Sequence, residues 1–259
     1  MIRLDLPLLK TPNGHPVRVA TIVTIMNHTD NMIVRGVPVT STIVDLDDHS
    51  LAIVDTGMAE NPELLDQLEE MGYQPSDFSL VINTHLHPDH IGGNRHFRNA
   101  RIIISRRELT YHRSLERIAS ATGREAAIPE SKLQREMRRM REMYRVSDLL
   151  GMPEQIEFME NHPPLPSGIK LISAAGHSID DRVVILQGQT KNVLAAGDAL
   201  YHRDLWRASS PPGINLDEEL FRRNAQLLSE FDGIVIPGHD GAFDHSNGIY
   251  LESNKFIDI

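Results

Sequence analysis

The chain has 259 residues, 40% of them hydrophobic and 24% charged, a balance that suits a folded globular protein and excludes disordered, collagen-like and coiled-coil classes. It contains no cysteine, which removes disulfides, thiolate metal ligands, iron–sulfur clusters and a cysteine nucleophile. The net charge of −10 disfavours broad binding to nucleic acid, since phosphate is repelled by an acidic surface.

Alternating Leu4, Leu6 and Leu8 near the start lack the basic opening and continuous apolar stretch of a secretion signal, and no apolar run is long enough to span a bilayer. A cytoplasmic protein is expected. Val17–Ile25, Thr40–Leu46 and Leu51–Val54 read as successive strands, the last two joined by a turn at Asp47-Asp48. Asn61 and Pro62 fit the cap and first position of a helix running to about Met71. Leu80–Asn83 and Ile102–Ser105 are short strands rich in β-branched residues. Lys170–Ala174, Val183–Leu186, Val193–Ala196 and Ile234–Ile236 follow as later strands. Short apolar runs alternating with helical patterns imply mixed α/β architecture.

The stretch Arg106–Arg145 differs from its surroundings, with eleven Lys or Arg against six Glu. Ser131 and Gln134 fit a capping box, and Leu133, Met137, Met140 and Tyr144 then share one helical face. Such a helix packs on the body or on a second copy, or closes over a pocket as a lid lined by flexible methionines. A nucleic-acid contact is the third reading. Asn161–Gly168, with three prolines, returns the chain to the main body.

The strongest chemical signal is His85-Leu86-His87-Pro88-Asp89-His90, directly after a strand-like run. In extended backbone His85 and His87 point the same way and can share one ion. A turn at Pro88 sends Asp89 and His90 elsewhere, which suggests a second ion beside the first. Gly176-His177, Gly197-Asp198 and Gly238-His239 each follow an apolar run, with glycine permitting a sharp turn before the candidate ligand. Five histidines and two aspartates then suffice for two sites, with Asp198 shared between them. Such N/O donors suit zinc first, and iron, manganese or cobalt as well. His96 and His202 are candidates for nearby supporting roles. His15, His28, His49, His112, His162 and His245 read as surface or structural.

The ordered set His85, His87, Asp89, His90, His177, Asp198 and His239 resembles the metallo-β-lactamase superfamily, and Asp55-Thr56-Gly57 resembles its upstream element. The resemblance implies a four-layer αββα sandwich over residues 1–259 as one domain, with 106–166 as a helical insertion serving as lid or dimer interface. It implies that His85, His87 and His177 hold the first metal, that Asp89, His90 and His239 hold the second, and that Asp198 bridges. It assigns Asp55 to orienting the ligand loop. Two ions sharing a hydroxide would attack a carbonyl or phosphoryl centre, with Asp89 as a candidate proton shuttle.

Tyr201, three residues after Asp198, resembles the substrate-contacting tyrosine of N-acyl homoserine lactonases and is a candidate donor to a developing oxyanion. Pro88 and Ser178-Ile179-Asp180-Asp181 depart from the lactonase pattern. The first expectation is therefore a dinuclear hydrolase of a small lactone or ester, a homodimer being compatible with it. A phosphodiesterase or nuclease is the alternative, supported by the basic stretch and loosely by Trp206 and Phe243. A non-enzymatic metal-binding protein is the third, weakened by the intact ligand set.

Overall fold

A computed structural model describes residues 7–8, 16–26, 36–59, 61–121, 144–205 and 215–259, with the backbone alone at 117–121. Ser131, Leu133, Gln134, Met137, Met140 and Trp206 lie outside the described residues.

Strands β1 (Pro16–Met26), β2 (Val37–Leu46) and β3 (Leu51–Val54) form an antiparallel meander. The β2–β3 turn falls at the expected aspartates. Asp48 Oδ1 accepts the Ser50 N–H at 2.9 Å, and His49 takes the left-handed conformation at φ 63°. β4 (Phe78–Ile82), β5 (Arg101–Ile104) and β6 (Ile156–Phe158) then add in parallel. β7 (Ile169–Ser173), β8 (Arg182–Gln187), β9 (Asn192–Gly197), β10 (Ile234–Pro237) and β11 (Phe243–Asp244) make a second sheet. β12 (Ile257–Asp258) closes the far edge of the first sheet against β1.

The helices are α1 (Glu63–Glu70), α2 (Pro88–Ile91), α3 (Arg106–Ala121), α4 (Val146–Leu149) and α5 (Glu218–Leu228). Helix α1 begins one residue later than the sequence pattern suggests. Asn61 Oδ1 still accepts the Glu63 N–H at 3.0 Å, so it satisfies one of the open donors of the first turn.

Why these runs form a sandwich follows from the period of two. In β3, Leu51 and Ile53 face the helical side, while Ala52 and Val54 face the other sheet. In β8, Val184 and Leu186 meet that same inter-sheet core, while Val183 and Ile185 pack beneath α5 with Leu228. Strands covered on both faces read as continuous apolar runs rather than alternations. Each fully buried Val, Leu or Ile contributes about 1.5–3 kcal/mol. Helices α1, α3 and α4 cover the outer face of the first sheet through Leu64, Leu68, Leu109 and Leu149. The result is the four-layer αββα sandwich.

Some elements escaped the sequence. β6 lies inside the stretch 106–166, expected to be helical throughout, and pairs with β5 through Ile103↔Glu157. At three residues it is too short to show a period. β11 and β12 have two residues each. Helix α5 had a readable start. Asp217 accepts the Leu220 N–H at 2.9 Å, and Glu218 and Glu219 occupy the first turn. Tyr144 is buried in the core beside α4, so this end of the basic stretch packs on the body. Among the described residues, no helix is long and apolar enough to cross a membrane.

Candidate metal centre

The ends of β3, β4, β9 and β10 lie along one edge of the sandwich, together with the β7–β8 connection. Two backbone bonds knit the sheets there, Arg182 N–H to Thr84 O at 2.9 Å and Thr40 N–H to Gly238 O at 2.9 Å. His85 and His87 follow β4, His85 in a bend and His87 in extended backbone. Helix α2 starts at Pro88, with His87 as its N-cap, and swings Asp89 and His90 to the other side. His177 sits in the β7–β8 connection, and Asp198 and His239 follow β9 and β10.

The edge gathers two clusters. Potential ligand atoms of His85, His87, His177 and Asp198 lie within 4.8 Å of one another, as do those of Asp89, His90 and His239. Asp198 joins them. Its Oδ2 is 3.2 Å from His177 Nε2 and 3.1 Å from His239 Nε2, and its Oδ1 is 3.1 Å from His90 Nε2. Asp89 Oδ2 is 3.8 Å from His90 Nε2 and 3.7 Å from His239 Nε2. The side chains of Asp89 and His239 are 13% and 12% exposed, whereas those of His85 and His90 are fully buried. Solvent and substrate therefore reach the centre from the Asp89 and His239 side.

Four imidazoles present Nε2 inward because something holds Nδ1. His90 Nδ1 donates to Asp55 Oδ2 at 2.8 Å, and His239 Nδ1 donates to Pro38 O at 2.6 Å. His85 Nδ1 donates to Thr84 Oγ1 at 3.1 Å, and His177 Nδ1 donates to the Tyr201 hydroxyl. His87 turns Nδ1 inward, 2.8 Å from His177 Nε2. Outer hydrogen bonds of this kind set the tautomer and aim the ring.

Three inward atoms, His85 Nε2, His90 Nε2 and Asp198 Oδ1, are buried without a hydrogen-bond partner. Buried polar atoms are rarely left so. Divalent ions on the inward nitrogens and carboxylates would satisfy all three, so the donor set fits a metal pair. Burial holds His85 and His177 below the ordinary imidazole value. At His90 burial opposes the cation, but Asp198, Asp55 and Asp89 outweigh it and hold its pKa well above the usual value. Burial also opposes the Asp198 anion, yet His239, His90 and His177 keep it well below the carboxylate range.

Asp55 does more than a turn-forming aspartate. It adopts φ 58°, is 2% exposed, and also accepts the Thr84 N–H at 2.8 Å and the Thr84 hydroxyl at 2.7 Å. Thr84 therefore links it to His85 as well as His90. The Tyr201 ring is buried and stacks on His239 at 5.7 Å. Its hydroxyl meets His177 from the Nδ1 side and donates to Asn215 Oδ1 at 3.2 Å. Burial, then the Asp198 charge, pushes this phenol upward, so it stays protonated.

Sequence reasoning passed over Thr84, Asn83 and Glu108, and read His112 as surface or structural. Asn94 Nδ2 donates to Asn83 Oδ1 at 2.8 Å and Asn83 Nδ2 donates to the His90 carbonyl at 3.3 Å, bracing the ligand loop from below. Polar residues at a strand end beside a ligand motif were the available signal. His112 is buried, its ring 5.8 Å from that of His87. His202 lies at the rim, 3.4 Å from Asp240, and His96 is exposed. Arg106 stacks over Phe158 at 3.7 Å and Arg107 lies 3.6 Å from Asp180, so these two cations are engaged within the chain.

A sandwich with His and Asp donors gathered at its open edge defines a metal-dependent hydrolase. The chain matches the metallo-beta-lactamase superfamily over residues 34–253 and belongs to it. It is 26% identical over 200 residues to an N-acyl homoserine lactonase of Bacillus thuringiensis, covering 75% of this chain and 69% of that one. The fold is shared with the B. thuringiensis AiiA structure carrying N-decanoyl-L-homoserine at its active site, at TM-score 0.61 and 20% identity, over 87% of this chain and 94% of that one. It is shared also with AidC, a dizinc quorum-quenching lactonase, at TM-score 0.63 and 19% identity, over 86% and 79% of the two chains.

Proposed function

We propose that this chain is a dinuclear hydrolase of small lactones or esters, with N-acyl homoserine lactones as the first substrates to try. The observation that carries the reading is Asp198, whose carboxylate lies 3.2 Å from a nitrogen of one cluster and 3.1 Å from nitrogens of the other. A shared carboxylate of this kind suits two ions held side by side, zinc being the first expectation for these donors. The lactonases among its relatives support the choice of substrate.

His85, His87 and His177 would hold one ion, Asp89, His90 and His239 the other, and Asp198 both. When bound, such a pair supplies a water acidic enough to be nucleophilic near neutral pH and an electrophile for the carbonyl oxygen. The chain supplies the rest. Asp89, at the accessible side, is placed to take the proton released on attack and return it to the leaving alkoxide. Tyr201 accepts from His177 and gives its own proton to a long contact with Asn215. Redirected from Asn215 to a developing oxyanion, the same O–H would make a stronger, charge-assisted hydrogen bond, the phenol keeping its proton. In a lactone the leaving alkoxide stays tethered to the acyl group, so ring opening releases one carboxylic acid and its proton.

The test is proton release by metal-loaded protein mixed with short- and long-chain N-acyl homoserine lactones. Turnover abolished by His87→Ala, and lowered by Tyr201→Phe with metal content unchanged, supports the reading. No turnover with two ions verified as bound overturns the lactone assignment and directs attention to phosphodiesters, the second reading.

A further inference from the structure

Helix α3 opens the basic stretch, yet its inner face carries a buried polar cluster that the hydrolytic scheme leaves unused. Glu108 is fully buried. Its Oε1 accepts the Asp180 N–H at 2.7 Å and lies 2.7 Å from the Ser178 hydroxyl, which it shares with Asp181 Oδ1, also at 2.7 Å. One turn on, His112 Nε2 lies 3.5 Å from Glu108 Oε2, and the His112 ring stands edge-on to the His87 ring. The N-terminal turn of α3 adds a third tie, Ser105 Oγ to Asp180 Oδ2 at 2.6 Å. Arg182 also donates to Asp180, at 2.7 Å and 2.9 Å, so the connection is pinned from both ends.

A buried carboxylate is costly unless its oxygens are engaged. A leucine at this helix position would bury more cheaply. Glu108 instead reaches the two residues that follow His177 closely, while its neighbour His112 backs His87. His87 and His177 come from loops 90 residues apart in sequence, and their facing nitrogens lie 2.8 Å apart. Asp181 holds the His177 loop from within, accepting the Ser178 N–H at 2.6 Å, whereas α3 touches both loops.

We propose that Glu108 is a positioning residue: with His112 it clamps the His177 loop and the His87 ring into one unit and so shapes the first metal cluster. The inference rests on the reading that His85, His87 and His177 hold an ion. The helix is then part of the centre's scaffold.

The test uses the full chain loaded with cobalt(II), its two affinities measured by chelator competition and its visible ligand-field bands recorded. Glu108→Leu should weaken one ion by about 10–100-fold and alter its band, leaving the other ion in place. Glu108→Gln keeps an oxygen for Ser178 and Asp180 and should restore most of the affinity. Ser178→Ala removes the hydroxyl's contacts with Glu108 and Asp181 together while leaving the helix itself unchanged, and should give a smaller loss at the same ion even if Glu108→Leu fails to fold. Wild-type affinities and bands in Ser178→Ala, or equal weakening of both ions, overturn the clamp. A wild-type chain that takes up no cobalt overturns the metal reading beneath it, a result distinct from an intact centre indifferent to Glu108.

Discussion

Oδ2 of Asp55 lies 2.8 Å from Nδ1 of His90, and this contact aims the other nitrogen of the ring into the centre. The same carboxylate takes both donors of Thr84, so each of its oxygens is engaged. Asp55→Ala should therefore weaken the ion at Asp89, His90 and His239 by about 10–100-fold. Asp55→Asn tolerates the left-handed backbone but replaces one acceptor by a donor, and should lose less. Metal per chain after dialysis against graded chelator reads both. Unchanged content in Asp55→Ala would mean that His90 holds its orientation without help.

Metal should stabilise the fold, because the unpartnered atoms of His85, His90 and Asp198 gain bonds only when an ion is present. Free metal at a hundred times its dissociation constant adds about 2.7 kcal/mol to the unfolding free energy. Thermal melts with and without zinc should differ accordingly, and chelation should reverse the shift. Asp198→Ala should abolish the shift from both ions together. A shift retained at half size would assign Asp198 to one ion alone.

Gly238 lies where the chain passes closest to the shared aspartate. A Cβ there would fall 2.2 Å from Asp198 Oδ1 and 2.8 Å from the Gly197 carbonyl carbon. Gly238→Ala should displace that carboxylate, costing about 1–3 kcal/mol of stability and lowering the content of both ions. A melt and a metal assay on the purified variant check it. Full metal content at wild-type stability would show that the β10 end can shift to make room.

Tyr250 gives a readout at the rim. Burial, then its 2.8 Å hydrogen bond to Asp240, pushes the phenol up to about 12. An unfolded tyrosine titrates near 10. The folded value is the raised one, so this contribution to stability is complete below about pH 10 and is lost as pH rises through about 12. Phenolate absorption should show a late-titrating component that disappears in Tyr250→Phe. A Tyr250→Phe titration identical to wild type would place that component elsewhere among the five tyrosines.

The central strands were legible because they bury both faces, which demands continuous apolar runs such as Ile102-Ile103-Ile104. The seven candidate ligands were legible because a metal accepts few residue types, and because their order along the chain resembles that of the superfamily. The four supporting contacts to Nδ1 were legible in part. Asp55 stood in a readable motif, whereas Pro38 contributes a backbone carbonyl, which no residue type announces. Residues 122–143, the middle of the stretch 106–166 where a lid or dimer interface was expected, lie outside the described residues.

Composition and spacing were thus enough to establish the chemistry of the donors, since ligand identity is a property of side chains and their local order. They could not establish which loops face one another. His87 and His177 come within hydrogen-bonding distance, Asp198 reaches both clusters, and Glu108 meets Ser178 only after two sheets have packed and α3 has docked. Those distances are set by burial of the inter-sheet core, a collective effect of residues far apart in the chain, and no local pattern encodes them.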